Sequence, residues 1–177
     1  FNSVTSVCKN VIYLTGKISV HLYMKVRITG SSGFVGSHLV DYFLQQGDDV
    51  SVIIRKESSP RWIDATKVRV YSGSYDDASF LQESVKNHEI IVHSAGVLAS
   101  SDYSGFYTGN VEVTKNLLEA ITIANPTIKR FVHLSSLAVA LPSPSIDYPT
   151  TEETITEKPL TKYGKSKLEA EKVVQSY

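Results

Sequence analysis

Three glycines, each three residues after the last, constrain this chain more than any other feature of its sequence. They lie in the segment TGSSGFVG at 29–36, between a β-prone stretch at 24–29 and a stretch with helical spacing at 34–46. In such a strand–turn–helix setting, the first glycine permits a tight turn and the second lets backbone N–H groups approach a ligand. The third lets the helix pack closely on the sheet. A helix amino terminus carries partial positive charge, so the segment predicts a pyrophosphate site.

The rest of the chain alternates between β-prone and helical stretches. Strands are predicted at 24–29, 50–54, 68–71, 90–93 and 129–134, and helices at 34–46, 77–86, 106–124 and 161–177. Alternation of this kind implies right-handed βαβ units and a parallel sheet, so we predict an α/β fold with a doubly wound, Rossmann-type parallel sheet. Four of the six prolines fall within 142–159, which predicts a long loop before the last helix.

Composition narrows the function classes. The 177 residues carry 18 Lys and Arg against 18 Asp and Glu, and zero net charge gives no reason to expect nucleic acid or an anionic membrane as a partner. The single Cys8 excludes an internal disulfide framework and fits a reducing, cytoplasmic location. The five histidines fit no metal motif, and His133 is expected to be a hydrogen-bonded core residue.

Domain boundaries follow from the same patterns. Residues 1–23 contain no acidic residue, and Met24 opens the first convincing strand. We therefore expect residues 1–23 to be an upstream extension outside the fold and residues 24–177 to form one dinucleotide-binding domain.

The end of the second strand of that domain predicts the cofactor. An acidic residue at this position would hold the ribose 2′-hydroxyl of NAD, whereas a basic residue would accept a 2′-phosphate. Ile54 is followed by Arg55 and Lys56, and Glu57 comes only after them. Because arginine can bind a phosphate through two parallel hydrogen bonds, we favour NADP(H) over NAD(H).

A tyrosine and a lysine four residues apart predict the chemistry. Tyr163 and Lys167 share one face of the last predicted helix. Tyrosine ordinarily titrates near pH ~10, too high for proton transfer at neutral pH, and a neighbouring ammonium favours the phenolate form. Ser135 and Ser136 directly follow the fifth strand, where ligands of open α/β sheets bind. A serine there can bind a substrate oxygen or simply form a turn that ends the strand.

Together these motifs resemble the extended short-chain dehydrogenase/reductase superfamily, also called the NAD-dependent epimerase/dehydratase family. The resemblance covers Met24 to Tyr177 and rests on TGSSGFVG at 29–36, HSAG at 93–96, Asn110, LSS at 134–136 and YGKSK at 163–167. It implies that Ser136 is the catalytic hydroxyl, that Tyr163 is the acid/base, and that Lys167 holds the nicotinamide ribose and tunes Tyr163. The cofactor-binding residues that we expect are Gly30, Ser32, Gly33, Phe34, Val35, Gly36, Arg55, Lys56, Ser74, Tyr75, His93, Ser94, Ala95, Gly96, Ser135, Tyr163 and Lys167.

Two departures from the family pattern stand out. Ser74 occupies the position where the family usually has an aspartate that contacts adenine. Family members also run to about twice this length, so we expect the sixth strand and the C-terminal substrate region to be missing from this chain. The segment RKESSPRW at 55–62 and the proline-rich loop look more like dihydroflavonol-reductase-type members than sugar-nucleotide epimerases.

Three functions stay open at this point. The leading hypothesis is an NAD(P)-dependent oxidoreductase that transfers hydride between nicotinamide and a carbonyl or alcohol carbon of a small molecule. The second is a nucleotide-sugar epimerase or dehydratase with tightly bound NAD. The third is a nucleotide-binding module without catalysis. The resemblance also implies a possible homodimer through the helices at 106–124 and 161–177.

Overall fold

Five parallel strands form the centre of the molecule. The computed structural model describes residues 13–14, 18–19, 23–152 and 157–177. The sheet strands are β3 (Lys25–Thr29), β4 (Asp49–Ile54), β5 (Arg69–Ser72), β6 (Ile90–His93) and β7 (Arg130–His133). Their order is β5-β4-β3-β6-β7, and every neighbouring pair is parallel. This order confirms the predicted doubly wound, Rossmann-type α/β fold, and each predicted strand differs from the observed one by at most one residue at either end.

Upstream of the sheet, a short antiparallel pair joins β1 (Tyr13–Leu14) to β2 (Ile18–Ser19). This pair forms its own two-stranded sheet and does not join the five-stranded one. Most of the segment 1–23 lies outside the described residues, so its assignment as an extension outside the fold stays a prediction.

Helices cover both faces of the sheet. They are α1 (Phe34–Gln45), α2 (Ala78–Val85), α3 (Tyr103–Phe106), α4 (Val113–Ala124) and α5 (Lys162–Gln175). On one face, Val40 of α1 packs with Val26, Ile28 and Val52 of the sheet. On the other, the core cluster combines sheet residues such as Ile53 and Ile91 with residues of α2 and α4. Burial of these apolar side chains drives the alternation that the sequence shows.

The predicted helix 106–124 is longer and less regular than its pattern suggests. It begins earlier, with α3 at Tyr103, and passes through a π-helical stretch at Tyr107–Glu112 before it becomes α4. Asp102 caps its first turn by accepting a hydrogen bond from the Gly105 amide (2.9 Å). Inserted π-helical turns frequently mark functional sites, and this one contains Asn110.

A buried arginine interrupts the otherwise apolar strand β3. Arg27 has no exposed surface, and its guanidinium carbon lies 3.8 Å from the centre of the Tyr71 ring. Its Nη1 donates a weak hydrogen bond to the Val52 carbonyl (3.4 Å), while Nε and Nη2 have no partner among the described residues. Burial lowers the pKa of Arg27 to about 10. The sequence pattern treats 24–29 as a uniformly apolar strand and therefore misses this charge.

Candidate active site

The glycine segment forms a tight turn at the carboxyl end of the central strand β3. Gly30 has a φ of +68°, and a Cβ atom added there would lie 2.5 Å from the Ala95 amide nitrogen. Only glycine fits this conformation and this close contact between the turn and the segment after β6. A Cβ on Gly36 would lie 2.2 Å from the Gly30 carbonyl oxygen. Gly36 therefore lets helix α1 pack closely against the turn at the carboxyl end of β3.

The amino terminus of α1 is open toward this turn. Gly33 is its N-cap, no side chain caps the helix, and its first turn holds no acidic residue. By contrast, Asp77, Asp102 and Thr161 cap α2, α3 and α5 through side-chain oxygens. The first amides of α1 are thus left for an external acceptor, which fits a phosphate group. Ser32 is half-buried at the turn, and Phe34 and Val35 are exposed beside it.

The segment after β6 is held to β3 by a buried polar network. Ser94 Oγ donates to the Thr29 carbonyl (2.6 Å), and the Ala95 amide donates to Thr29 Oγ1 (3.2 Å). His93 Nδ1 is bonded to Thr29 Oγ1 (2.7 Å), and its Nε2 is bonded to Thr114 Oγ1 (3.0 Å). The His93 ring is 1% exposed and points into the core, so its imidazole does not face the cleft, and the predicted cofactor contact of this segment falls to its backbone and to its other residues.

The hydrogen bonds also fix the tautomer of His93. Thr114 Oγ1 already donates its proton to the Asn110 carbonyl (2.6 Å), so it must accept from His93 Nε2–H. Nδ1 is then the acceptor for the Thr29 hydroxyl. Burial, followed by the charges of His133 and Lys167, pushes the pKa of His93 well below its ordinary value. This neutral ring joins the end of β3 to helix α4 and holds the two loops of the site together.

Arg55 and Lys56 are exposed at the carboxyl end of β4, the strand next to β3. Neither forms an ion pair with another described residue. Both residues thus lie at the end of the second strand of the sheet, the position at which the sequence predicts them. Ser74 is also exposed, and its hydroxyl accepts from the Asp76 amide (3.1 Å) in the loop after β5.

The side chain of Tyr75 is buried in the core. Its ring belongs to the core cluster under α2 and α4, and the side chain is 7% exposed. Burial raises the pKa of Tyr75 to about 12. The Asn116 amide donates to the Tyr75 carbonyl (3.0 Å), so this backbone oxygen is also occupied. The Tyr75 ring therefore packs in the core, and its predicted contact with the cofactor stays a prediction.

Lys167 lies at the carboxyl end of β7, close to the two serines that follow this strand. The side chain is 4% exposed, and its Nζ donates to the Leu134 carbonyl (2.7 Å), directly before Ser135. Helix α5 therefore directs this lysine to the carboxyl end of β7. Tyr163, one helical turn earlier, is half-buried with its ring 6.1 Å from that of Phe106. Burial lowers the pKa of Lys167 to about 8.

The serine pair lies beside this lysine. Ser135 is exposed, and Ser136 is half-buried. The Ser136 hydroxyl accepts from the Ala138 amide (3.2 Å) and caps the short 3-10 helix Leu137–Val139. Both roles considered for Ser136 are thus compatible, because a capping hydroxyl keeps its proton to donate to a ligand oxygen.

His133, the last residue of β7, is in contact with Lys167. Its Nε2 lies 3.5 Å from Lys167 Nζ, and burial lowers the pKa of His133 to about 4, so the ring is neutral. Its ring centre lies 5.4 Å from that of His93. His133 Nδ1 has no described partner, so the expected hydrogen-bonded core histidine is only half satisfied.

The side chain of Asn110 connects the segment after β6 to helix α5, and we call Asn110 and Ser166 together the clamp. Asn110 Oδ1 accepts from the Val97 amide (2.7 Å), and Nδ2 donates to the Val97 carbonyl (3.1 Å) and to Ser166 Oγ (2.9 Å). Ser166 Oγ in turn donates to the Tyr163 carbonyl (2.7 Å). Sequence reasoning considered Asn110 but missed Ser166, whose position three residues after Tyr163 is its only indication.

The described residues fit a dinucleotide and offer no metal centre. Three features lie together at the carboxyl edge of the sheet. They are the open amino terminus of α1, the glycine turn, which has no room for a Cβ atom, and the exposed cations after β4. No group of three or more His, Cys, Asp or Glu side chains suited to a metal occurs in the part of the chain that the structure describes. Within the same residues, no helix is both long and apolar enough to cross a bilayer.

Comparison with known proteins agrees with this geometry. Ceramide reductase of Caulobacter vibrioides is 34% identical over 119 residues, which are 67% of this chain and 36% of that protein. UDP-glucose 4-epimerase of Lactobacillus helveticus is 28% identical over 158 residues, which are 85% of this chain and 46% of that protein. This chain spans less than half the length of both relatives.

Solved structures and a family comparison complete the assignment. MoeE5 in complex with UDP-glucose and NAD superposes with a TM-score of 0.72 at 26% identity, covering 86% of this chain and 48% of that one. A UDP-galactose 4-epimerase superposes with a TM-score of 0.74 at 26% identity, covering 87% and 51%. Residues 26–177 match the NAD dependent epimerase/dehydratase family. With its glycine turn, its strand order and its Tyr163–Lys167 helix, the chain belongs to that family.

Proposed function

We propose that this chain is the dinucleotide-binding part of an oxidoreductase that acts on a carbonyl or alcohol carbon of a small molecule. The observation that carries the proposal is the placement of Lys167. Its Nζ binds the Leu134 carbonyl at 2.7 Å, beside Ser135 and Ser136, and its helix also carries Tyr163 one turn earlier. The cofactor, when bound, donates or accepts the hydride.

Each residue of the constellation has a separate task. The Ser136 hydroxyl binds the substrate oxygen, and the Tyr163 hydroxyl gives a proton to that oxygen in reduction or takes it in oxidation. The Lys167 ammonium favours negative charge on the nearby oxygens and binds the ribose of the nicotinamide. The low exposure of Lys167 keeps water from screening its charge.

The cofactor we propose is NADP(H). Arg55 and Lys56 are both exposed at the carboxyl end of β4, and no acidic residue ends that strand. An exposed guanidinium at this edge suits the 2′-phosphate of NADP better than the free 2′-hydroxyl of NAD. The NAD-bound structure of MoeE5 supports the nucleotide class but not this finer choice.

Two other functions have specific support. The relatives named UDP-glucose 4-epimerase favour an epimerase that keeps NAD bound and recycles the hydride. Co-purification of NAD through gel filtration would decide for that candidate. Because the chain covers 48% of MoeE5, a module that binds nucleotide without turnover is the third candidate. A homodimer through α4 and α5 and a cytoplasmic location also stay predictions.

Replacement of Tyr163 by phenylalanine tests the proposal. In the full-length protein, Tyr163→Phe should lower the rate of NADPH oxidation with a ketone by about 10²- to 10⁴-fold, because proton transfer to the substrate oxygen is lost. The dissociation constant for NADPH, measured by fluorescence, should change by less than about threefold, since one hydroxyl is removed without a change in charge.

Tyr177→Phe is the matched control, because Tyr177 is an exposed tyrosine two residues after the end of the same helix. It should retain full turnover and full NADPH affinity. Equal turnover in Tyr163→Phe and the wild type would remove the proposed chemistry. Failure of the wild type to bind either NADPH or NADH would remove the nucleotide-binding function as well.

A further inference from the structure

An open groove begins directly beside the proposed catalytic hydroxyls. It runs between the 3-10 helix Leu137–Val139, the loop that follows it, and the segment Leu160–Thr161 before α5, and it encloses about 650 Å³. This volume lies within the roughly 300–1,000 Å³ that is typical of small-molecule sites. The groove is distinct from the glycine turn and the end of β4, so the predicted dinucleotide contacts do not account for it.

The walls of this groove are apolar and uncharged. None of the residues that line it is Asp, Glu, Lys, Arg or His. Ile146 is 94% exposed, Leu137 is 77% exposed, and Leu160 is 66% exposed. Clusters of large, exposed apolar side chains are typical of binding surfaces, because a ligand that covers these side chains removes them from water.

The residues that line the groove adjoin the proposed catalytic residues in the chain. Leu137 directly follows Ser136, and Leu160 precedes Tyr163 by only three residues. The first turn of α5 packs closely on the groove residue Ala138, because a Cβ atom on Gly164 would lie 2.1 Å from the Ala138 carbonyl oxygen. The groove therefore begins next to the two chain segments that carry Ser136 and Tyr163.

The loop wall has internal structure of its own. The Ser143 hydroxyl lies within hydrogen-bond distance of the Ser145 carbonyl (2.6 Å) and of the Tyr148 carbonyl, which share its single proton. An isolated antiparallel bridge joins Ala140 to Glu157 and ties the two ends of the loop together. The described part of the loop wall is thus held by hydrogen bonds at residues 143–148 and by the bridge to Glu157.

We propose that this groove binds the apolar body of an uncharged ketone or secondary alcohol substrate, an inference that rests on the proposed oxidoreductase function. A nucleotide sugar would bring a diphosphate to walls that hold no cation, and its desolvation would go uncompensated there. A polypeptide segment would bring backbone N–H and C=O groups that need partners, and the Ser143 hydroxyl is already engaged within the loop. An aliphatic or aromatic body requires neither.

A series of 2-alkanones tests this proposal on the chain itself. With NADP⁺ present at saturation, 2-hexanone, 2-octanone and 2-decanone are titrated and their dissociation constants are measured by saturation-transfer NMR. Each added methylene should tighten binding about fourfold, as expected for burial against an apolar wall. UDP-glucose, titrated in the same way, should not displace the ketone.

Two variants with the same starting exposure locate the site. Leu160→Ser removes an apolar wall residue, and Ile123→Ser changes an α4 residue that does not line the groove; both side chains are 66% exposed in the wild type. Leu160→Ser should weaken 2-decanone binding about tenfold and leave the NADPH dissociation constant unchanged. Ile123→Ser should change neither value.

Several results would overturn the inference. Affinity that does not rise with chain length, or equal effects of the two variants, would show that no ketone binds along the groove. UDP-glucose binding that Leu160→Ser weakens would assign the groove to a nucleotide sugar. NADPH is titrated in parallel, so a failed ketone series with intact NADPH binding leaves the proposed function standing. Loss of NADPH binding refutes that function separately.

Discussion

At the scale of single residues, the surroundings of a side chain decide its chemistry. Lys167 and Arg55 are both cationic, yet Lys167 is buried against the Leu134 carbonyl and Arg55 is exposed at the end of β4. Burial lowers the pKa of Lys167 to about 8, so its ammonium is present at neutral pH and disappears above that value. Arg55 keeps the freedom to pair with a phosphate.

The charge of Arg55 yields a prediction about cofactor choice. Arg55→Glu should weaken NADPH binding by about 10- to 100-fold, because a charge-assisted hydrogen bond is lost and a like charge is introduced. NADH binding should stay the same or improve. Fluorescence titration of both nucleotides measures the ratio. Arg130→Glu is the control, since Arg130 is an exposed arginine at the opposite, amino-terminal end of the sheet. Equal NADPH affinity in wild type and Arg55→Glu would contradict the assignment.

At the scale of elements, one amide holds three segments in register. Asn110, in the π-helical stretch, bonds both polar backbone groups of Val97 and the hydroxyl of Ser166 on α5. Both N–H groups of this side chain donate, and its Oδ1 accepts one hydrogen bond. The segment after β6 and the helix that carries Tyr163 are therefore fixed relative to each other through buried and half-buried polar bonds.

This clamp predicts coupled losses of stability. Asn110→Ala and Ser166→Ala should each lower the free energy of unfolding by about 1–3 kcal/mol, because each leaves buried partners unsatisfied. Together they should cost less than the sum of the single changes, by about 0.5 kcal/mol or more. Urea unfolding of the four proteins in this cycle gives the coupling.

Ser176→Ala provides the control for the clamp. Ser176 makes the same kind of bond within α5, to the Val173 carbonyl (2.7 Å), but it is exposed. Its removal should change stability by less than about 0.5 kcal/mol. Additive losses in the double variant would mean that Asn110 and Ser166 act independently.

At the scale of the whole molecule, the sheet buries several histidines in their neutral form. His88 is bonded through Nε2 to Ser51 Oγ (2.7 Å), and burial, followed by the charge of Arg27, lowers its pKa to about 4. Burial, followed by the charge of Lys167, lowers the pKa of His133 to about 4. The folded state therefore binds fewer protons than the unfolded state between about pH 4 and 6.5, the ordinary pKa of histidine.

Stability should consequently decline as the pH falls from about 6.5 to 4. The direction follows because folding lowers the pKa of these histidines. Their contribution to the free energy of unfolding is complete above the pKa of the unfolded chain, and it is lost below that pKa as the unfolded chain takes up protons. For His88 alone the loss is on the order of 3 kcal/mol. His88→Gln should flatten the pH dependence of the free energy of unfolding, and the exposed His38→Gln should not. Parallel curves for wild type and His88→Gln would contradict this account.

The fold was largely predictable because its determinants are local. Aliphatic runs such as 50–54 form strands that are buried on both faces, and Gly30 takes a positive φ that its position in the strand–turn–helix motif required. The face shared by Tyr163 and Lys167 follows from the helical repeat alone. These features depend on a few neighbouring residues, so a sequence can show them.

Only the tertiary structure decided where polar side chains went once the sheet had formed. His93 and Tyr75 flank the cofactor edge in sequence, yet their rings pack into the core because strand alternation and the helices above them leave no other space. Arg27 packs against the Tyr71 ring, which is 44 positions away in the chain. Ser166 is hydrogen-bonded to Asn110, which is 56 positions away. The sequence by itself thus determined the elements, their order and the residues at the sheet edge. Long-range packing determined which of those residues face the ligand.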